Sequence, residues 1–406
     1  MEKKRICVVG LGYIGLPTAA LLASSGYEVA GVDVNEKVVE TINRGSIHIV
    51  EPDLHAFVRA AVASGRLKAF LSPQPADVYM LCVPTPFHVG GDIPQPNIDY
   101  VMAAAKSVAP LVKAGDLVIL ESTSPVGTTH KVSALLAEHG VDLSQVHIAY
   151  CPERVLPGRI MVELLENDRV VGGLTPEATK AVKAFYTSFV RGEVLESDAK
   201  TAEMCKLVEN SFRDVNIAFA NELSLLCDKA GINVWRLIEL ANRHPRVKIM
   251  QPGAGVGGHC IAVDPWFIVA NDPENARLIR MGREVNNHKT HWVVARIRAE
   301  IARLEVELGK RPRVGCYGLA FKLDIDDLRE SPAVEIAQSL LLGGADIVAV
   351  EPNVAEHATI PLASMDDATG QCDLLVFLVR HRQFRSLTQS GALKNKAVLD
   401  FCGVLE

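Results

Sequence analysis

Arg5-Ile-Cys-Val-Val-Gly10-Leu-Gly12-Tyr-Ile-Gly15 is an apolar strand that runs directly into the pattern G-x-G-x-x-G. A helical stretch over 16–25 follows, Gly26 ends it, and a second strand runs from Glu28 to Asp33. The glycines permit a tight turn and close approach of a pyrophosphate, whose charge the helix N-terminus favours. Asp33 lies 18 residues after Gly15, where an acid accepts hydrogen bonds from ribose hydroxyls. The stretch predicts a Rossmann domain that binds a dinucleotide, and the acid favours NAD over NADP.

Three further apolar strands end in polar turns at 77–86, 117–128 and 147–154. Because open α/β sheets bind ligands at the carboxyl ends of their strands, Thr85 and Thr123 are candidate ligand contacts. Alternatively, the two hydroxyls cap the helices that follow. Glu153, at the end of the third strand, is either a catalytic acid or base or half of a surface pair with Arg154.

Four glycines within residues 253–258 lead into Cys260, and Asp264 follows four residues later. Glycine lets the backbone press close to a ligand, and a thiol just past such a loop is within reach of a substrate. The alternative is a turn that ends in a half-buried structural cysteine. His259 is interpreted as a loop residue, since no third metal ligand is suitably spaced.

From about Asp198 the apolar period becomes helical, and Lys206, Asn210 and Arg213 fall within one narrow arc. That arc is either a functional face or a solvated one; asparagine is a poor mid-helix residue, which favours the first. His244 and Arg246 precede the glycine loop and are either an anion clamp or ordinary loop residues.

A second α/β unit begins at Arg313, with a helix predicted to start over 326–332 and strands at 347–352, 374–379 and 397–401. It lacks a clean G-x-G-x-x-G, so we interpret it as a Rossmann relative that binds something other than NAD. Lys322 and Arg329 flank its first turn, suitably placed for phosphates. The predicted domains are therefore an NAD-binding domain over 1–195, a central helical domain over 196–305 and a C-terminal domain over 306–406.

The composition is that of an ordinary globular protein, with 406 residues, 49% hydrophobic and 22% charged. The net charge of −6 argues against nucleic acid or an anionic membrane as the main partner. Nine scattered cysteines, with no C-x-x-C pair, fit a reducing compartment and argue against a structural zinc site. With no room for a signal peptide and no bilayer-spanning apolar run, we expect a cytoplasmic protein.

Taken together, the chain resembles the UDP-glucose/GDP-mannose dehydrogenase family over nearly its whole length. The matching motifs are G-L-G-Y-I-G-L-P at 10–17, C-V-P-T-P at 82–86, S-T-S-P-V-G-T at 122–128, C-P-E-R at 151–154, K-L-V-E-N at 206–210, G-G-H-C-I-A-V-D-P-W at 257–266 and G-L-A-F-K-L-D-I-D-D-L-R-E-S at 318–331. The resemblance implies oxidation of a sugar C6 alcohol to a carboxylate with two NAD⁺ and no free aldehyde. It also implies a homodimer, or a higher homo-oligomer, joined through the central helix.

The same resemblance implies a role for each matching residue. Cys260 resembles the nucleophile, Lys206 the residue that assists proton transfer, and Glu153 the group that assists thioester hydrolysis. The implied catalytic set is Cys260, Lys206, Asp264, Asn210, Glu153 and Thr123. The implied cofactor contacts are Gly10, Gly12, Tyr13, Ile14, Gly15, Asp33, Thr85, Val126 and Arg329. The implied contacts with the nucleotide sugar are Arg154, Val155, Lys206, Asn210, Arg213, His244, Arg246, Gly257, Phe321 and Lys322.

Within the family, the R-H-P-R segment at 243–246 and the form of the cysteine motif most resemble the branch acting on UDP-N-acetyl-D-mannosamine. UDP-N-acetylglucosamine and UDP-glucose are the alternative substrates. One departure is Cys402, where relatives commonly carry an arginine in D-x-R-G, so that contact is absent or made elsewhere. Two other classes stay open: a hydroxy-acid dehydrogenase, which forms one NADH per turnover, and a sensor that binds both ligands without turnover.

Overall fold

The computed structural model describes residues 4–49, 51–88, 90–156, 158–258, 260–394 and 396–406, so His259 lies outside the described residues. The chain divides into two compact units, 1–209 and 210–406. Within the described ranges, no helix combines the length and the apolar character needed to cross a membrane.

The first unit is a doubly wound α/β domain. Its strands are β1 Arg5–Val9, β2 Glu28–Val32, β3 Leu67–Phe70, β4 Val78–Leu81, β5 Phe87–His88, β6 Gln95–Pro96, β7 Leu117–Leu120, β8 His147–Tyr150, β9 Arg169–Gly173 and β10 Val194–Asp198. Its helices are α1 Gly15–Ser24, α2 Glu36–Asn43, α3 Leu54–Ala63, α4 Asp99–Val108, α5 Thr128–Glu138, α6 Ile160–Glu166 and α7 Pro176–Thr187, with a 3-10 turn at Ala109–Leu111.

The main sheet of this unit, as far as the described residues show, has the strand order β10-β9-β8-β7-β4-β1-β2-β3. All neighbours are parallel except β8 and β9. Alternate residues of β1 pack into different cores, Ile6 and Val8 into one, Cys7 and Val9 into the other. Burial on both faces explains why the strand reads as a continuous apolar run, and it confirms the predicted Rossmann domain.

The second unit holds most of the long helix α8, Ala199–Ala230, which begins in the first. The other helices are α9 Val234–Ala241, α10 Asp264–Asn271, α11 Arg277–Leu308, α12 Pro332–Leu342, α13 Met365–Gln371 and α14 Arg385–Ser390, with a 3-10 turn at Arg382–Phe384. The strands are β11 Arg313–Tyr317, β12 Asp346–Val350, β13 Leu374–Phe377 and β14 Ala397–Asp400. They form a parallel sheet in the order β12-β11-β13-β14, as expected for a second Rossmann-like fold.

A buried polar seam joins α8 to α11. Asp214 accepts a hydrogen bond from Arg283 at 2.7 Å, and Asn221 donates one to Asn286 at 2.8 Å. One step further along, the Lys289 amine donates to the Ser224 hydroxyl at 2.7 Å. Since buried polar groups are costly unless paired, these contacts fix the relative register of the two helices.

The structure refines two expectations about helices. The helix predicted to start over 326–332 begins at the last residue of that range, Pro332, because Ser331 caps it by accepting from the Ala333 amide at 3.2 Å. On α8, the proposed polar arc is not one solvated face, since Asn210 is buried while Arg213 is exposed. Whether a residue of α8 is buried depends on which other segments pack against that turn of the helix, and the helical period alone does not identify those segments.

Candidate functional site

The glycine turn after β1 is shaped by close backbone contacts. Gly10 has φ +92°, and a Cβ placed on it would lie 2.5 Å from the Cys82 carbonyl oxygen. A Cβ on Gly15 would lie 1.8 Å from the Gly10 oxygen, which excludes any side chain. A Cβ on Gly12, by contrast, would meet no atom within 4 Å of the described protein. The turn is therefore closed on its inner side and open at Gly12, where a pyrophosphate fits.

Asp33 stands beside this turn, one residue after β2. One carboxylate oxygen accepts from the Leu11 amide at 3.1 Å and the other from the Asn35 amide at 2.9 Å. The side chain is half-buried, so its remaining lone pairs are available to ribose hydroxyls. Tyr13 and Ile14 are half-buried in the same turn, and Ile14 is the N-cap of α1. These residues fit NAD.

The threonines after β4 and β7 contact each other. The Thr85 hydroxyl donates to the Thr123 carbonyl at 2.6 Å, which ties the two strand-end turns together. Neither threonine is a helix cap, because the N-caps of α4 and α5 are Ile98 and Gly127; that alternative is wrong.

The loop that carries Val126 is held by a buried carboxylate from α8. Glu203 accepts from the Gly127 amide at 2.6 Å, the Thr129 amide at 2.8 Å and the Thr129 hydroxyl at 2.6 Å. A carboxylate at this position satisfies the first amides of α5 and opposes the positive end of its dipole. The loop is therefore anchored from a second element, which limits its freedom near the predicted cofactor contact Val126.

Glu153 is buried after β8, 6% exposed, and its partner is not the one suggested as an alternative. Its carboxylate pairs with Arg169 at 2.6 Å. Arg154 instead contacts Glu209 of α8 at 2.6 Å, so a surface pair between Glu153 and Arg154 is wrong. The adjacent Val155 packs against the core of this unit.

Arg169 and a second buried carboxyl, Glu121, were missed by sequence reasoning. Glu121 follows β7 and is 2% exposed, accepting from the Cys82 thiol at 3.1 Å and the Tyr186 hydroxyl at 2.9 Å. Burial, with a smaller contribution from the Glu153 charge, raises the pKa of Glu121 to about 7. An acid directly after an apolar strand signals Glu121, but nothing local in sequence marks Arg169.

Cys260 lies in the turn that starts α10, in the second unit. Its carbonyl accepts from the Val263 and Asp264 amides at 3.0 and 2.8 Å, and its thiol is half-buried. The structure brings Asn210 and Asp264 together: the amide of one donates to the carboxylate of the other at 2.5 Å, and both are buried. A buried carboxylate held in one orientation next in sequence to a thiol turn is suited to position a water or a proton.

The glycines before Cys260 pack against protein. A Cβ on Gly257 would lie 2.2 Å from the Glu330 carbonyl oxygen, and one on Gly258 2.9 Å from the Phe321 ring. Gly255 is similarly close to Thr290. Glycine is thus required here by the neighbouring segments of the same unit, and the thiol turn is fixed against the residues that follow β11.

Most of the remaining predicted contacts lie in the second unit, and one lies in the first. Arg329 is exposed and forms a two-pronged ion pair with Asp327, with a shortest distance of 2.6 Å, and Lys322 is half-buried. His244 and Arg246 are exposed, and the His244 ring accepts from the Arg246 amide at 3.3 Å. Lys206, in the first unit, is half-buried on α8. The described residues contain no group of three or more side chains arranged to hold a metal ion.

Comparison with known proteins accounts for most of the chain. The NAD binding domain of the UDP-glucose/GDP-mannose dehydrogenase family matches residues 4–190, its central domain 200–288 and its UDP binding domain 315–406. The UDP-N-acetyl-D-mannosamine dehydrogenase of Yersinia pestis is 54% identical over all of both chains. The NDP-N-acetyl-D-galactosaminuronic acid dehydrogenase of Ralstonia nicotianae is 53% identical over all of this chain and 97% of its own. The structure of UDP-D-ManNAc dehydrogenase from Pyrococcus horikoshii superposes with a TM-score of 0.88 at 38% identity, covering 99% of this chain and 96% of its own.

Proposed function

Because the chain belongs to the UDP-glucose/GDP-mannose dehydrogenase family and is an NAD-dependent UDP-sugar dehydrogenase, we propose that it oxidises C6 of UDP-N-acetyl-D-mannosamine through Cys260. The observation that carries this proposal is the Cys260 thiol, half-buried in the turn that leads to the buried Asn210–Asp264 pair. A simple alcohol oxidation needs no cysteine, whereas oxidation of an aldehyde needs a nucleophile that holds it. A thiolate is both a strong nucleophile and a good leaving group.

In the two oxidation steps, Cys260 and Lys206 act on the sugar at C6. NAD, when bound, accepts a hydride from C6 in each of the two oxidations. The Cys260 sulfur adds to the aldehyde carbon to give a thiohemiacetal, and the second oxidation leaves a thioester. Lys206 brings a cationic amine that favours the thiolate and stabilises negative charge on the sugar oxygen.

Hydrolysis then releases the product. The Asn210 amide fixes the Asp264 carboxylate, which orients the attacking water. Glu153 takes one proton from that water as its oxygen adds to the thioester carbon, and the bond to sulfur breaks to restore the Cys260 thiolate. Arg154, Arg213, Arg246, Phe321 and Lys322 are among the residues we propose as contacts of the nucleotide sugar.

The identity of the sugar is the finer part of the proposal. A relative named for N-acetyl-D-galactosaminuronic acid is as similar to this chain as one named for N-acetyl-D-mannosamine, at 53% and 54% identity. Overall identity therefore does not separate the two sugars, and UDP-N-acetyl-D-galactosamine is the second candidate. The R-H-P-R segment at 243–246 supports the manno sugar.

The test measures NADH formed per sugar consumed, with UDP-N-acetyl-D-mannosamine, UDP-N-acetyl-D-galactosamine, UDP-N-acetyl-D-glucosamine and UDP-glucose compared side by side. We expect a ratio of two with the manno sugar, the highest kcat/KM for it, and a stalled Cys260→Ser variant. A ratio of one with an active Cys260→Ser variant contradicts the thioester route and favours a simple alcohol dehydrogenase. Faster turnover of another of these UDP-sugars contradicts only the choice of sugar.

We further propose a homodimer that forms through α8. One side of this helix exposes Phe212, Phe219 and Leu226, which are 65%, 53% and 59% exposed in the single chain. Their spacing of seven residues places them in one stripe, and a contiguous exposed apolar stripe is typical of an interface. Phe219→Glu should convert the dimer to a monomer in light scattering, whereas Leu342→Glu, at an apolar residue 90% exposed on α12, should not. An unchanged mass for Phe219→Glu contradicts this interface.

A further inference from the structure

Three residues stand in a row just past the ends of adjacent strands. In the sheet of the first unit, Leu81 of β4 is in register with Leu120 of β7, and Leu120 with Tyr150 of β8. The next residues are Cys82, Glu121 and Cys151, so a carboxyl stands between two thiols. Glu121 is only 2% exposed, and so deep a burial of a carboxyl is unusual unless the group has a specific role.

Contacts lead from this carboxyl to Glu153. Tyr186 of α7 donates to Glu121 at 2.9 Å, and its ring is contacted by the Arg169 guanidinium, 5.6 Å from the ring centre. Arg169, 2% exposed, then pairs with Glu153 at 2.6 Å. Its Nε–H has no acceptor among the described residues, so Glu153 does not saturate the guanidinium.

The row and the residues packed on it contain one cation and two carboxyls. Burial raises the pKa of Cys82 and Tyr186 well above their usual values and that of Cys151 to about 12, so these three are neutral near pH 7. Burial also raises the pKa of Glu121 to about 7, with Glu153 adding to the rise and Arg169 opposing it. Above about pH 7, loss of the Glu121 proton therefore adds a negative charge beside the Arg169–Glu153 ion pair.

We propose that Glu121 is a positioning residue for thioester hydrolysis, whose negative charge competes for Arg169 and so makes Glu153 a better proton acceptor. Without that charge the guanidinium holds Glu153 as a carboxylate and opposes proton uptake from water. With it, the two carboxyls repel, and a proton on Glu153 relieves the repulsion. The inference rests on the role of Glu153 under the proposed function.

The experiment follows the hydrolysis step alone. Enzyme, NAD and UDP-sugar are mixed in a single turnover between pH 5.5 and 9, and intact mass follows the decay of the covalent adduct on Cys260. For the wild type we expect the rate of adduct hydrolysis to rise about tenfold as the pH passes through 7. A tenfold rise is equivalent to an electrostatic effect of about one pKa unit on the proton acceptor. Glu121→Gln keeps the shape of the side chain but should lose the rise, with hydrolysis about tenfold slower at pH 8.5 and the adduct accumulating.

A second variant protects the test against misfolding. Tyr186→Phe removes one donor to Glu121 but keeps the ring against Arg169, so the rise should move to higher pH. The KM for NAD reports any distortion around Cys82, Glu121 and Cys151, because the Cys82 carbonyl packs against Gly10 of the turn that fits NAD. In both variants this KM should stay within about twofold of the wild-type value.

The outcomes separate the two proposals. A Glu121→Gln variant that keeps the rise at pH 7 and the wild-type rate at pH 8.5 overturns the role of Glu121, as does a rise that does not move in Tyr186→Phe. Glu153→Gln is run in parallel. If it hydrolyses the adduct at the wild-type rate, the proposed role of Glu153 is wrong, and the inference about Glu121 is overturned with it.

Discussion

Lys289 gives the sharpest prediction about stability, because it is an amine buried on α11 with little compensation. It is 2% exposed, donates to the Ser224 hydroxyl at 2.7 Å and lies 4.1 Å from the centre of the Trp292 ring. Burial lowers the pKa of Lys289 from 10.5 to about 7, and Asp228 opposes the change only in part. The folded protein therefore binds fewer protons than the unfolded chain between pH 7 and 10.5.

This difference in proton binding sets how the free energy of unfolding changes with pH. Since the unfolded state binds more protons in this window, the free energy of unfolding rises with pH there, by about 1.4 kcal/mol per unit. The lowered pKa costs stability in full below pH 7, about 4 kcal/mol near that pH, and the cost disappears above 10.5. Between pH 8 and 10 the cost should fall by about 2.5 kcal/mol.

Lys289→Met removes the amine and keeps a side chain of similar length against Trp292. Ser224 is not stranded, since its hydroxyl also donates to the Asn221 carbonyl at 2.6 Å. Urea unfolding at fixed protein concentration should show the variant more stable than wild type at pH 8, with an advantage smaller by about 2.5 kcal/mol at pH 10. The exposed Lys394→Met is the control, with a difference that stays flat. An advantage of Lys289→Met that is independent of pH would refute the reasoning.

Three further predictions concern the first unit. Gly10→Ala should destabilise it by about 2–3 kcal/mol in thermal unfolding, because φ is +92° and the new Cβ would meet the Cys82 oxygen. Glu203→Gln should weaken the cap of α5 by about 2 kcal/mol, seen as faster hydrogen exchange at the Thr129 amide, with no change expected in α1. Asp33→Ala should raise the KM for NAD at least tenfold and lower it for NADP; an unchanged NAD:NADP preference would contradict the role of Asp33.

Sequence reasoning located the parts of this protein whose signals are local. The strand, glycine turn and acid of residues 5–33 each leave a mark within a few positions, and the structure has β1, α1 and β2 at those positions. The start of α12 lies at the end of the predicted range 326–332, because Ser331 and Pro332 supply the cap and the charged residues from Asp326 precede the helix. A cap is decided by one side-chain hydrogen bond, which a hydrophobic period does not report.

The parts that could not be predicted depend on contacts between distant segments. Arg169 of β9 meets Glu153 across 16 residues and lies against Tyr186 of α7, and none of the three has a neighbour in sequence that implies the others. The same applies to α8, where the helical period separates apolar from polar residues correctly but not buried from exposed ones. Phe212 is 65% exposed although it is apolar. Asn210 is buried although it is polar, because Asp264, 54 residues later, accepts a hydrogen bond from its amide.

In the two Rossmann-like sheets, the acids at equivalent strand ends, Asp33 and Glu351, differ in how many of their acceptor oxygens the protein itself uses. Asp33 and Glu351 each follow the second strand of their unit and each accept from the first turn, Asp33 from Leu11 and Glu351 from Leu319 and Ala320. Glu351, however, is longer by one methylene, is 6% exposed and also contacts the buried His381 at 3.1 Å. Its acceptor sites are therefore used within the protein, whereas the half-buried Asp33 has acceptors left for a ribose. An acid at this position predicts dinucleotide binding only where the fold leaves it partly unsatisfied, and for this physical reason we expect NAD to bind the first unit and not the second.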